Sequence, residues 1–436
     1  MNNNYFHSVR LDKEKCKGCT NCIKRCPTEA IRVRDGKAKI MDERCIDCGE
    51  CIRICPYHAK KAVTDDLKAL DKYKYNIALP APTLYGQFKG LTDINYVLSA
   101  LLSLGFDDVY EVAWAADIVS AKIRSLIKDK KGKKPYISSA CPAIVRLIQV
   151  RFPNLIDNII DVQSPMEVAG LLARKEAAGK YSLDDKDIGV FFITPCAAKM
   201  TSIKNPVGMA KSYVNGAIAI PSVYGMLSST MKKENVKKLQ RSTAYGIGWA
   251  NSGGESNALG VENYLAVDGI QNVIKVLDEI ENNKLNDLDF FEGLACTGGC
   301  VGGPLTVENG FVAKNRIKRL VKNNEKVRLS QHQLDDVCKD IAIHYSEEIL
   351  PKSIMKLDDD VAKAIEKMNL IDKIYDDLPG LDCGSCGSPS CKTLAEDIVR
   401  GYASEMDCIF KLREKVKGLA QQMIELYNKI PTGKER

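Results

Sequence analysis

The stretch GVFFITPCAAK, residues 189–199, opens on a continuous apolar run and closes on a proline, a cysteine and a lysine. A short apolar run bounded by turn residues fits a strand buried on both faces, as in a parallel sheet. Three further runs read the same way: IALPAP (77–82), VYEVAWA (109–115) and AYGIGWA (244–250). Between them VLSALLSLG (97–105), IVSAKIRSLIKD (118–129) and GIQNVIKVLDEIENN (269–283) carry helical periodicity. The alternation predicts an α/β domain with mostly parallel sheet over residues 75–346. Two more segments place cysteines among small residues, SSACP (138–142) and EGLACTGGCVGGP (292–304). Cys141, Cys196, Cys296 and Cys300 are therefore spread through the middle of the chain. The glycines around the last two permit close approach of backbone to an inorganic core.

Twelve of the remaining cysteines fall in dense groups at the two ends. CKGCTNCIKRCP (16–27) and CIDCGECIRICP (45–56) repeat the spacing C-x2-C-x2-C-x3-C-P at an offset of 29 residues. In this bacterial two-cluster ferredoxin pattern, three close cysteines hold one cubane and the fourth crosses to the other. Cys16, Cys19, Cys22 and Cys55 are assigned to one [4Fe–4S] cluster, and Cys45, Cys48, Cys51 and Cys26 to the second. Zinc favours paired C-x2-C units with a longer loop, so eight cysteines at this doubled spacing argue for iron. This ferredoxin domain spans residues 1–65, and DDLKALDKYK (65–74) reads as a charged linker. A third group, Cys383, Cys386, Cys391 and Cys408, resembles the small four-cysteine iron–sulfur domain found on redox and signalling proteins, with zinc as the alternative. It belongs to a small helical C-terminal domain over residues 347–436. Cys338, the seventeenth cysteine, reads as a buried structural thiol.

Composition bounds the rest. The 436 residues, 45% hydrophobic and 27% charged, fit a globular multidomain protein. The +7 formal charge invites a nucleic-acid reading, but each cubane with its thiolates contributes roughly −2, so three bring the total near neutrality. No membrane span or secretory h-region is visible. Thiolate ligands must stay reduced, which points to the cytoplasm of an anaerobe. No nicotinamide or flavin fingerprint is present, since the glycines of 246–254 lack GxGxxG spacing.

The three central motifs resemble those of [FeFe]-hydrogenases, which read approximately TSCCP, MPCxxK and ExMACxxGCxxGGGQP. The resemblance covers about residues 75–345. It implies that Cys141, Cys196, Cys296 and Cys300 hold the cubane half of an H-cluster. Cys300 would bridge to a two-iron half carrying carbonyl, cyanide and a bridging dithiolate amine. It also implies that Lys199 and the stretch Ala81-Pro82-Thr83 meet the cyanides, with Ser164 nearby.

The departures from the family pattern are specific. Ala140 stands where productive members have a proton-passing cysteine, and the segment 121–126 lacks the relay glutamates. Thr194 and Leu294 replace two methionines. Glu255, in NSGGESN, and Glu292 are candidates for a substitute proton route. The pattern resembles the sensory branch of the family, without a PAS domain. The implied activity is reversible H2 oxidation and proton reduction, slow and used for H2 or redox sensing, with a protein electron donor or regulatory partner. A ferredoxin-linked catalytic hydrogenase and an iron–sulfur assembly scaffold without the two-iron half remain the alternatives.

Overall fold

The computed structural model describes residues 5–129, 132–231, 236–324, 341, 343–352, 354 and 356–429. Cys338 lies outside them. The chain divides into two compact units. The first comprises Met1–Arg10, Ile46–Arg53 and Lys60–Lys352; the second comprises Leu11–Cys45, Ile54–Ala59 and Ser353–Arg436.

The first unit is built on two parallel sheets. One has four strands in the order Asp108–Val109, Tyr75–Pro80, Ile188–Thr194 and Gly216–Ala219. The other has three, Tyr264–Asp268, Phe290–Leu294 and Tyr136–Ile137. Successive side chains of a strand point to opposite faces, and here both faces are covered. Ile77, Leu79, Val190 and Phe192 enter one apolar core, while Ala78, Phe191 and Ile193 enter the other. That explains why GVFFI is apolar throughout rather than alternating. Val112–Lys128 and Pro165–Tyr181 are the long helices that contribute to the first of these cores.

Three expectations are corrected. AYGIGWA is not a strand: Ala244–Gly248 is helical, with Thr243 as N-cap accepting from the Tyr245 N–H. Asp117 fixes that cap by accepting from the Thr243 N–H at 2.8 Å and its hydroxyl at 2.6 Å. VYEVAWA is a strand only to Val109, because helix begins at Val112. Asp65 does not start a loose linker. Its N–H donates to the Ala217 carbonyl at 2.8 Å and its carboxylate accepts from the Ala217 N–H at 2.9 Å, so it extends the sheet edge.

The second unit joins the two ends of the sequence. Ile31–Arg34 and Lys37–Ile40 form an antiparallel hairpin. Its two-residue turn, Asp35-Gly36, has positive φ at both positions, as a right-twisted hairpin requires. The repeat is visible in the backbone: Ala30 donates to Cys26 Sγ at 3.2 Å, and Ala59 donates to Cys55 Sγ at 3.3 Å. The C-terminal part packs Ile371, Leu378, Leu394 and Ala395 around Cys391 and Cys408. It docks on the hairpin through buried charge. Asp397 accepts from Arg32 Nε at 2.6 Å, Arg32 Nη2 at 2.9 Å, Arg34 Nη2 at 3.2 Å and the Ser388 hydroxyl at 2.8 Å. No helix among the described residues is long and apolar enough to cross a membrane.

Candidate active site

The site lies where strands of the first unit end and helices or turns begin. Ala81 and Pro82 follow Tyr75–Pro80; Pro195 and Cys196 follow Ile188–Thr194; Ala295 and Cys296 follow Phe290–Leu294. Carboxyl ends of parallel strands are the usual ligand crevice of such folds. Cys141 is the N-cap of Pro142–Arg151, and Cys196 is the N-cap of Ala197–Lys204. Each cysteine thus meets the positive end of a helix, which favours an anionic sulfur or anionic ligand. In the loop from Cys296 to Cys300, Gly299 has φ +99°, and any Cβ there would strike the Ser252 backbone nitrogen at 2.4 Å.

Cys141, Cys196, Cys296 and Cys300 line one cavity together with Ala81, Pro82, Thr83, Ala140, Lys199, Glu255 and Glu292. The cavity volume is about 100 Å³. A single water needs roughly 10–15 Å³ on that scale, so the space exceeds a hydration site, and most of its wall is apolar. Cys300 is exposed and lines this cavity. Burial, and then the neighbouring cysteines, push the Cys196 thiol up to about 12 and the Cys300 thiol well above its ordinary range. Burial also raises the Cys296 thiol; a cation among these thiols would reverse such shifts.

Three polar groups point the same way. Thr83 is 1% exposed and its Oγ1 has no hydrogen-bond partner among the described residues. Lys199 Nζ donates to Ser164 Oγ at 3.1 Å, and burial lowers its pKa against the pull of Cys196 and Glu167. Glu255 Oε2 accepts from the Ser138 hydroxyl at 2.6 Å, whereas Oε1 is buried without a partner among the described residues. An unsatisfied buried hydroxyl and an ammonium beside four thiols fit a ligand that carries anionic acceptors. The donor set therefore fits a thiolate-bound inorganic group.

The Thr83 orphan gives a direct test. Thr83→Val removes a buried unsatisfied hydroxyl at nearly constant volume, so the apoprotein is expected to gain roughly 1–3 kcal/mol of stability. Chemical denaturation of the metal-free chain measures this, and a loss of stability would show that the hydroxyl has a partner within the protein.

The two candidate glutamates differ. Glu292 accepts from the Gly253 N–H at 2.9 Å, the Ser256 N–H at 2.9 Å and the Ser256 hydroxyl at 2.7 Å; it anchors the glycine-rich turn. Burial, and then Glu292, raise Glu255 to about 8.

Two residues are missing from the sequence reading. Arg53 bonds the Gly302 carbonyl and, at 2.6 Å, Glu50. Burial opposes its charge, but Cys296 and Glu50 outweigh that and hold its pKa above the ordinary value. Its position inside CIRICP disguised it as a surface charge. Glu167 is buried, accepting from Ser212 Oγ at 2.8 Å and the Tyr213 N–H at 3.0 Å. It shares a second, smaller cavity with Ser139, Ala140, Ser164, Lys199 and Tyr345.

Of the accessory ligands, Cys16, Cys19, Cys22, Cys26, Cys45 and Cys55 belong to the second unit, while Cys48 and Cys51 belong to the first. Cys391 and Cys408 belong to the small C-terminal core and Cys386 packs against it, whereas Cys383 is exposed.

The family described as iron only hydrogenase large subunit, C-terminal domain, matches residues 74–264 and 211–304, together more than half of the chain. The chain belongs to the iron-only hydrogenase family. A 4Fe-4S dicluster domain matches residues 8–56, and an Fe-S cluster family matches residues 378–410, so this hydrogenase-family chain carries iron–sulfur domains at both ends.

Among its relatives, the periplasmic [Fe] hydrogenase large subunit of Nitratidesulfovibrio vulgaris is 32% identical over 213 residues, 44% of this chain and 51% of that protein. Iron hydrogenase 1 of Clostridium pasteurianum is 25% identical over 399 residues, 73% of this chain and 69% of that protein. The chain spans about half the length of the first of these. The fold is similar to that of apo [FeFe]-hydrogenase HydA1 from Chlamydomonas reinhardtii, in a cysteine-to-histidine variant. That match has a TM-score of 0.51 at 13% identity, covering 66% of this chain and 99% of the other. With a periplasmic relative in the family, thiolate ligation alone does not assign a compartment.

Proposed function

We propose that this hydrogenase-family protein interconverts H2 with protons and electrons at an H-cluster, slowly, and uses the reaction to sense H2 or redox state. The observation that carries the reading is the convergence of Cys141, Cys196, Cys296 and Cys300 with Thr83 and Lys199 on one largely apolar cavity. The cysteines would hold the cubane half, with Cys300 shared with the two-iron half. The Lys199 ammonium and the Thr83 hydroxyl would donate to its cyanides, with Ala81 and Pro82 shaping the wall and Ser164 orienting Lys199. When bound, that group supplies the making and breaking of the H–H bond.

The chain itself handles protons. Ala140 lines the cavity, and its methyl group can carry none. Glu255 Oε1 is a buried carboxylate oxygen on that wall with no partner among the described residues, and Glu292 holds the turn that presents it. Electrons would travel through two ferredoxin-type cubanes and the C-terminal cluster to a protein partner. The missing cysteine supports slow turnover, and slow turnover suits a receiver better than a metabolic engine.

Infrared spectra of protein matured with a synthetic two-iron cofactor test the reading, first under argon and then under H2. Carbonyl and cyanide bands that shift with H2 are expected. Full cubane iron without such bands would overturn it.

A further inference from the structure

The helix Ile409–Lys429 has 21 residues and buries none of them. Phe410, Ile424 and Tyr427 are exposed apolar residues elsewhere on it, but six others form a regular stripe. Ile409, Leu412, Val416, Leu419, Met423 and Leu426 are separated by steps of three, four, three, four and three, and the sequence continues the pattern at Ile430. A 3.5-residue period is the coiled-coil repeat. Each of the six is 46–71% exposed. A single helix in water gains most of its stability from a packed face, and Gly418 in mid-helix costs it more. Within its unit the helix makes an ion pair from Lys411 to Asp377 at 2.7 Å and Leu419 lines a groove with Glu405 and Met406, yet all six stripe residues keep much of their surface exposed.

We infer that this stripe is the seam of a parallel two-stranded coiled coil with a second copy of the same chain. The residue types select that occupant. In the heptad, Ile409, Val416 and Met423 take position a, and Leu412, Leu419 and Leu426 take position d. β-Branched residues at a with leucine at d favour parallel dimers. The flanks agree in charge. In parallel register Lys415 of one copy faces Ala420 of the other, and Gln422 faces Tyr427, so along Ile409–Leu426 no like charges meet across the seam. Gly418 falls at position c, away from the contact, where the missing side chain costs the interface nothing. The inference is independent of the chemistry proposed for the cavity, since it uses only the terminal helix.

Sedimentation of the full-length, iron-loaded protein tests it. Twice the chain mass is expected at micromolar concentration. Leu419→Glu with Met423→Glu is expected to give the monomer, with cluster absorption and iron content unchanged. Gln421→Glu, on the outer face, is expected to leave the dimer intact. A photo-crosslinker at Tyr427 should join residues 420–430 of one copy to the same segment of the other. A wild-type monomer, or a dimer that survives the double seam substitution, overturns the proposal. So does cross-linking of Tyr427 to residues 408–412, which marks antiparallel pairing. A protein that stays monomeric and coats anionic lipid vesicles through this helix also overturns it.

Discussion

Glu255→Gln is expected to slow hydrogen turnover by about 10²–10⁴-fold, the range of a lost general acid–base group, while iron content and infrared bands stay unchanged. Glu255 is 2% exposed, one oxygen is held by Ser138 and the other has no partner among the described residues. Glutamine keeps the shape and cannot release a proton. The carboxyl titrates near pH 8 in the fold, against an ordinary value of 4.5, which suits a group that must both take and give a proton near neutrality. The sign of its effect on stability follows. A raised carboxyl pKa means the folded state binds the proton more tightly than the unfolded state. Its contribution is fully present below about pH 4.5 and is lost as pH rises through 8. Glu255→Gln should therefore match wild-type stability in acid and exceed it above pH 8. Glu292→Gln should act differently. Glutamine keeps one acceptor but turns the other into a donor facing a backbone N–H of the turn. In acid, where both carboxyls are protonated, it is therefore expected to lower stability where Glu255→Gln does not. Full turnover in Glu255→Gln would remove this residue from the proton route.

Asp397→Ala is expected to destabilise the second unit by roughly 3–5 kcal/mol, the cost of breaking a buried charge pair and leaving its partner unpaired. Asp397 is 2% exposed and Arg32 is 6% exposed. Their contact is bidentate, and Arg34 and Ser388 share the same carboxylate. Removing it leaves guanidinium charge between the hairpin and the C-terminal core. Denaturation followed by iron–sulfur absorption should show the loss. The exposed pair Lys39–Asp35, at 3.6 Å, serves as the comparison: such pairs contribute little, and Lys39→Ala should change nothing measurable. A similarly small effect at Asp397 would mean that apolar packing alone holds the two parts together.

Much of this architecture was readable from residue order because metal ligation imposes fixed spacings. The doubled C-x2-C-x2-C-x3-C-P and the strand before Cys196 needed no tertiary information. The misread segments failed for identifiable reasons. AYGIGWA has the composition of a strand, and only the Asp117–Thr243 contact, 126 residues apart, turns it into a capped helix. Gly216–Ala219, GAIA, is too short and small to announce itself as a strand, yet it closes one sheet edge. At the cavity, sequence could name Glu255 and Glu292 together but not rank them, because a free oxygen is a property of three-dimensional surroundings. Arg53 carries a signal only in hindsight: a basic residue within a ligand motif, one helical turn from Glu50.

The pairing of Arg32 with Asp397 spans 365 residues, and this sets an order of events during synthesis. At roughly 5–20 residues per second, the hairpin leaves the ribosome roughly 20–70 s before the acid that neutralises it. Throughout that interval Arg32 and Arg34 face water, and the first ferredoxin motif stands without its C-terminal cover. If Cys16, Cys19 and Cys22 take the iron proposed for them, it would therefore meet an open site on a nascent chain. Arrival of the helix Cys391–Val399, which carries Asp397, would then close the door behind it.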